Sequence, residues 1–295
     1  MSTWSQQKHR TPVLDLSMTH VEMGSGADTG APVVLLHGNP TSSFLWRDVM
    51  VAMPNSGRLL APDLIGMGDS AKLPDPGPAR YTLADHARYL DAWFDAVVPP
   101  GPVTLVLHDW GGPLGFRWAR LNAERVHAIA YMETVLRPMD WSEWPEPSTA
   151  IFQALRSEAG EDMILQKNIF VERILPGSIL RDLSEDEMAE YRRPFATSDE
   201  DRRPTLTWPR QIPLGGEPAD SLAIIQANWD WLRAWDGPKL LVDADPGAIM
   251  KGTILDDARA LSNQTEVQVA GIHFIQEDSG AQIGEAVADW LRKIG

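Results

Sequence analysis

The residues of this 295-residue chain best suited to chemistry stand directly after short apolar runs. His37-Gly38-Asn39-Pro40 follows the run at 33–36, and His108-Asp109-Trp110-Gly111-Gly112 follows the run at 103–107. Glu133 closes the run at 128–132. Asp243-Ala244-Asp245-Pro246-Gly247 comes after 240–242, and Gly271-Ile272-His273 comes after 267–269. In an open α/β sheet ligands bind outside the carboxyl ends of the strands, so these acids, one histidine and one asparagine are expected on a single rim.

Asp109 lies between its apolar run and a helix-like stretch at 113–120, with Gly111 and Gly112 allowing the turn to close. That is the layout of a nucleophile elbow, with Asp where Ser is more familiar. A carboxylate suits displacement at a saturated carbon because no proton must leave before it attacks, whereas a serine needs a general base in that step. An Asp that merely caps the next helix is the plainer reading, but it would not require the partners that follow.

Of seven histidines, His273 alone follows a late strand in the order nucleophile, acid, histidine. His9 and His20 are expected to lie before the core sheet, His86 falls within a helix, His127 leads into a strand, and His37 and His108 are placed to brace the reactive turns. A carboxylate on the other imidazole nitrogen would orient His273. Glu133 qualifies from one strand end and Asp243 or Asp245 from the next, and spacing does not choose between them. Asn39 and Trp110 offer N–H donors for an anion; the indole N–H can only donate. Their backbone N–H groups would form an oxyanion hole.

The elements that must position these groups are legible as alternation. Strand candidates at 33–36, 59–61, 103–107, 128–132, 240–242 and 267–269 are separated by helical stretches. One helix is capped by Thr82, with Asp85 three residues on and Leu83, Ala87, Leu90, Phe94 and Val97 at helical spacing. Such alternation predicts a doubly wound α/β sheet. From 134 to 212 the strands stop, and a helical, tryptophan- and proline-punctuated stretch is expected to form an inserted cap. The core would then comprise 1–133 and 213–295, and the cap 134–212.

Composition narrows the classes. With 26 basic and 41 acidic residues the net charge is -15, which argues against phosphate-backbone binding to nucleic acid and against docking on anionic membranes. The absence of cysteine excludes disulfides, thiolate nucleophiles and Cys-type metal sites. No signal-like or membrane-spanning run is visible, so a soluble cytoplasmic protein is expected, with the periplasm also compatible.

Together these segments resemble the haloalkane dehalogenases of the α/β-hydrolase superfamily, most of all the broad-specificity subfamily that includes the lindane-pathway dehalogenase. The resemblance is carried by HGNPTSSFLWR (37–47), PDLIGMGDS (62–70), HDWGGPLGF (108–116), IAYMETVLRP (129–138), RRPTLTWPRQIP (202–213), DPGA (245–248) and NQTEVQVAGIHFIQEDS (263–279). It implies a mostly parallel, doubly wound eight-stranded sheet with an inserted helical cap. It also implies Asp109 as nucleophile, His273 as base, Glu133 as its acid with Asp245 as second candidate, and Asn39 with Trp110 as the halide-binding pair. Trp144, Pro145, Phe152, Phe170 and Ile174 would line the pocket from the cap's first part, joined by Trp208, Pro209, Ile212, Ile249 and Phe274. No metal or organic cofactor is implied; the partners would be a small apolar halogenated substrate and a halide product, in a monomer or small homo-oligomer. The chain departs from the family pattern at Leu107, Gly112-Pro113, Thr134 and Ser148.

Three rival activities share parts of this pattern. An epoxide hydrolase would use the same nucleophile, base and acid but needs phenol donors, and only Tyr191 of four tyrosines falls in the expected cap. A coelenterazine-type luciferase and a non-catalytic small-molecule receptor use related scaffolds.

Overall fold

The computed structural model describes residues 4, 7–24, 31–197 and 199–295. Among them, eight strands join in one sheet of order β1-β2-β4-β3-β5-β6-β7-β8. Strands β1 (Lys8–Val13) and β2 (Leu16–Met23) form an antiparallel hairpin, and β2 runs antiparallel to β4. The remaining strands, β3 (Val33–Leu36), β4 (Leu59–Pro62), β5 (Val103–Asp109), β6 (Val126–Thr134), β7 (Lys239–Pro246) and β8 (Gln264–Gly271), pair in parallel. Each expected apolar run falls inside one of these six. All residues of β3, β4 and β5 are buried, as befits central strands covered on both faces.

The hairpin corrects one expectation. His9 and His20 do not precede the sheet but belong to it, paired in register across β1 and β2 with their rings 5.4 Å apart. Only Val13 of β1 is buried; an edge hairpin with such mixed burial carries no continuous apolar run to betray it.

Ten α-helices are present among the described residues: α1 (Arg47–Val51), α2 (Leu83–Val97), α3 (Gly111–Leu121), α4 (Glu146–Arg156), α5 (Ala159–Glu161), α6 (Glu185–Arg192), α7 (Arg203–Gln211), α8 (Ala219–Ala234), α9 (Thr253–Arg259) and α10 (Ile275–Ile294). Helix α2 starts as its sequence dictates: Thr82 Oγ1 accepts from the Asp85 N–H and Asp85 Oδ2 accepts from the Thr82 N–H, a reciprocal capping box. Between β6 and β7 no strand occurs among the described residues. Helices α4 to α7 and two π-helical turns, Asp162–Gln166 and Phe170–Ile174, fill that interval. Helix α8 instead lies on the sheet layer, where Asn228 Nδ2 donates to the Pro113 carbonyl of α3 at 2.9 Å.

Candidate active site

Asp109 ends β5 and turns sharply into α3 through a backbone with φ +49°. For a residue with a Cβ this left-handed conformation costs on the order of 1–3 kcal/mol and persists only where surroundings enforce it. Here they do. The Asn39 backbone N–H donates to Asp109 Oδ2 at 2.6 Å, and Thr134 Oγ1 donates to the Asp109 carbonyl at 2.6 Å. The β3 loop can approach so closely because residue 38 is glycine: a Cβ there would lie 2.2 Å from Asp109 Oδ2 and 2.5 Å from the Trp110 nitrogen. Leu107, bulky for an elbow, fits because Gly115 faces it; a Cβ at 115 would stand 2.3 Å from Leu107 Cδ2.

Glu133 is aimed by a register shift. His108 pairs with Met132 but Asp109 pairs with Thr134, so Glu133 is an extra residue in β6, with φ +38°. Bulges re-aim side chains in this way. The buried Glu133 carboxylate accepts the backbone N–H groups of Ala248 (3.1 Å), Ile249 (2.9 Å) and Met250 (3.3 Å), and its Oε2 lies 3.2 Å from His273 Nδ1. His273 Nε2 faces Asp109 Oδ1 at 3.6 Å. The His273 backbone is fixed from both sides, its carbonyl by His108 Nε2 at 2.8 Å and its N–H by the Ser178 carbonyl at 3.1 Å.

The electrostatics separate His273 from the other buried histidines. Burial drives His37 down to about 4 and His86 and His108 down to about 3. Burial also opposes the charged form of His273, but the Asp109 and Glu133 carboxylates outweigh it and raise this imidazole to about 9. For Asp109 burial raises the pKa, and the His273 contact more than reverses that, leaving it below the ordinary carboxylate value.

The expected rim is therefore assembled from Asn39, Asp109, Glu133 and His273, but not from every acid placed there. Asp243 is buried in β7 and engaged by Arg259 (3.2 Å) and Gln268 (2.8 Å), away from the imidazole. Asp245 is exposed at the end of β7. His37 does brace the first loop: its Nδ1 contacts the Gly38 carbonyl and its Nε2 accepts the Leu64 N–H, both at 2.9 Å.

A cavity of about 70 Å³ opens over Asp109 and His273, with Asn39 and Trp110 in its wall. Trp144, Pro145 and Phe152 enclose it from around α4, and Phe170 and Ile174 from the second π-helical turn. Pro209, Ile212, Ile249 and Phe274 complete the apolar wall. Trp208 is the exception among the expected lining residues. It is fully buried behind Trp110, its ring stacked on that indole at 4.4 Å and on His86 at 4.1 Å. It backs the site and does not face the cavity. Ser148, noted as a departure, lines the cavity, as do Ser178 and Ala248, which no periodicity singles out. The Asn39 amide is weakly engaged, with Nδ2 3.4 Å from the Thr205 carbonyl and Oδ1 unpartnered, so its N–H groups can turn to an anion.

A carboxylate held on a strained turn, an imidazole between two acids and an apolar chamber over them on this sheet topology define an α/β hydrolase. Residues 31–279 match the family model described as the alpha/beta hydrolase fold. The chain belongs to the haloalkane dehalogenases. It is 53% identical over 277 residues to a haloalkane dehalogenase of Sphingobium indicum, covering 94% of this chain and 92% of that one. It is 52% identical over 266 residues to one from Mycolicibacterium smegmatis, covering 90% and 86%. The crystal structure of haloalkane dehalogenase DbeA from Bradyrhizobium elkani superposes with a TM-score of 0.90 at 42% identity, over 97% of this chain and 98% of that one. That of DatA from Agrobacterium tumefaciens does so at 0.89 and 38%, over 98% and 97%.

Proposed function

We propose that the protein hydrolyses small haloalkanes to an alcohol, a halide ion and a proton through an ester on Asp109. The observation that carries this reading is the division of labour at one carboxylate: Asp109 Oδ2 is held by the Asn39 N–H, while Oδ1 faces the imidazole under the apolar chamber. Oδ1 attacks the halogen-bearing carbon from the side opposite the halogen, forming the C–O bond as the carbon–halogen bond breaks. Charge grows on the departing halogen, so the amide of Asn39 and the indole of Trp110 bind the transition state more tightly than the neutral substrate.

Alkylation removes the charge of Asp109 and with it part of what holds the His273 proton. The imidazole, oriented by Glu133, can then release that proton and take one from water, which attacks the ester carbonyl. Oδ2, already at the Asn39 N–H, receives the developing negative charge. As that charge returns, the bond from the Asp109 carboxyl carbon to the alkoxy oxygen breaks, the alkoxy group taking the proton from His273 to leave as the alcohol. A small apolar chamber supports this substrate class, because a haloalkane offers few hydrogen bonds and binds by burying surface at ~25 cal/mol per Å². At about 70 Å³ it is far below the ~300–1,000 Å³ of sites for drug-sized ligands, which disfavours a bulky luciferin. Among the described residues no tyrosine lines the cavity, and Tyr191 is committed to Glu277. That supports a halide over an epoxide leaving group.

The decisive experiment follows halide release and acidification with small bromoalkanes. Asp109→Ala should lose at least ~10³ of the rate; substantial turnover by that variant would defeat the nucleophile assignment. Multiple turnovers of the unaltered enzyme in H₂¹⁸O should place label in the Asp109 carboxylate.

A further inference from the structure

We propose that Thr134 is a positioning residue for the nucleophile, acting in one clamp with Gly112 and Pro113; the proposal rests on the reading of Asp109 as nucleophile. They stand at two places in the sequence, 112–113 and 134, yet the fold brings them together around the Asp109 carbonyl oxygen.

Helix α3 gives that carbonyl little. The Trp110 carbonyl receives the Leu114 N–H, but four residues beyond Asp109 stands Pro113, which has no N–H to donate. Thr134 supplies the missing donor from the neighbouring strand, its Oγ1 at 2.6 Å. Both residues are buried, Thr134 completely, so water does not compete. Gly112 makes room: a Cβ at 112 would lie 1.7 Å from Thr134 Oγ1 and 2.8 Å from its Cβ. The threonine hydroxyl thus occupies the space of a side chain at 112, and a side chain at one position excludes the hydroxyl at the other.

The placement couples two strained residues. Asp109 holds φ +49° and Glu133, immediately before Thr134, holds φ +38° across the register shift that pairs Asp109 with Thr134. One hydroxyl therefore ties the nucleophile's turn to the bulge that aims the acid. Loss of that tie lets the elbow relax, swinging Oδ1 out of line with the substrate carbon, while Asn39 and Trp110 still meet the halide.

The test compares Thr134→Val, Thr134→Ser, Thr134→Ala and the double variant Thr134→Ala with Gly112→Ser in single-turnover halide release from 1,2-dibromoethane. Tryptophan-fluorescence titration with bromide and a thermal melt accompany each rate. Thr134→Val should slow alkylation by roughly tenfold or more, the scale of a sub-ångström misplacement, with bromide affinity unchanged. Thr134→Ser should stay near the unaltered rate. A serine at 112 can bond the carbonyl three residues back, so the double variant should regain most of what Thr134→Ala loses. The proposal is overturned if Thr134→Val alkylates at full rate, if valine and serine fall together, or if the rate loss merely tracks the unfolded fraction. Asp109→Asn run alongside separates the two readings: halide release from it would remove the nucleophile assignment, and the clamp's purpose with it.

Discussion

The rim of the sheet and the helices between β6 and β7 solve different problems on either side of one cavity. On the rim Asp109, Glu133 and His273 are fixed by hydrogen bonds to or from the backbone. Glu133 receives three N–H groups, Asp109 receives one, and the His273 backbone is held on both sides. The overlying helices contribute apolar wall and are tied down by charge. Arg47 of α1 and Arg181 both reach Glu277 at 2.6 Å and both reach Glu187 of α6, at 2.8 and 2.7 Å. Arg193 meets Asp69 at 2.9 Å, and Arg156 donates to the Pro209, Arg210 and Ile212 carbonyls at the end of α7. Backbone bonds give the rim the precision that reacting atoms need. Long charged side chains hold the roof, and among the described residues its inner surface carries no titrating group.

If this contrast is right, damage on the rim should strike chemistry and damage to the ties should strike stability. The largest effect is expected at His273. His273→Gln should still release one equivalent of halide in a burst and then stop, with the ester visible as added mass on the Asp109 peptide. Sustained turnover would place the base elsewhere. Glu277→Gln comes next. It leaves Arg47 and Arg181 without their buried charge partner, a change worth about 3 kcal/mol in urea denaturation, while single-turnover halide release at low temperature should change little. A large rate loss with unaltered stability would reverse the comparison.

The most gradual effect is a dependence of stability on pH. The folded pKa of His273, about 9, lies above its ordinary 6.5, so its contribution is fully present below about pH 6.5 and lost as pH rises through 9. Asp109 is depressed below 3.8, so its contribution is present above that value and lost as pH falls further. Unfolding midpoints should therefore drop between pH 6.5 and 9, and His273→Gln should drop less. Equal loss in both proteins would mean that the imidazole is not held charged between the two acids.

Some of this architecture was written locally. Thr82 and Asp85 announced the start of α2, and six apolar runs followed by polar residues announced six strands with polar groups at their ends. Those signals succeed because a cap, a turn or a buried strand is defined by neighbours a few residues apart. Asp243 misled for the same reason: it stands at the right point along its run, but β7 continues past it and Arg259 takes it up.

By itself, then, the sequence determined the succession of six strands from β3 onward, the start of α2 and the kinds of group available at the strand ends. Only the tertiary structure decided that Trp208 stands behind Trp110, that His20 lies within the sheet, and that Glu133 is the extra residue of a bulge. It alone brought Thr134, Gly112 and Pro113 to one carbonyl oxygen. Periodicity records which face of an element is buried. What occupies the space opposite depends on chain segments tens of residues away, and packing, not local preference, chooses among them.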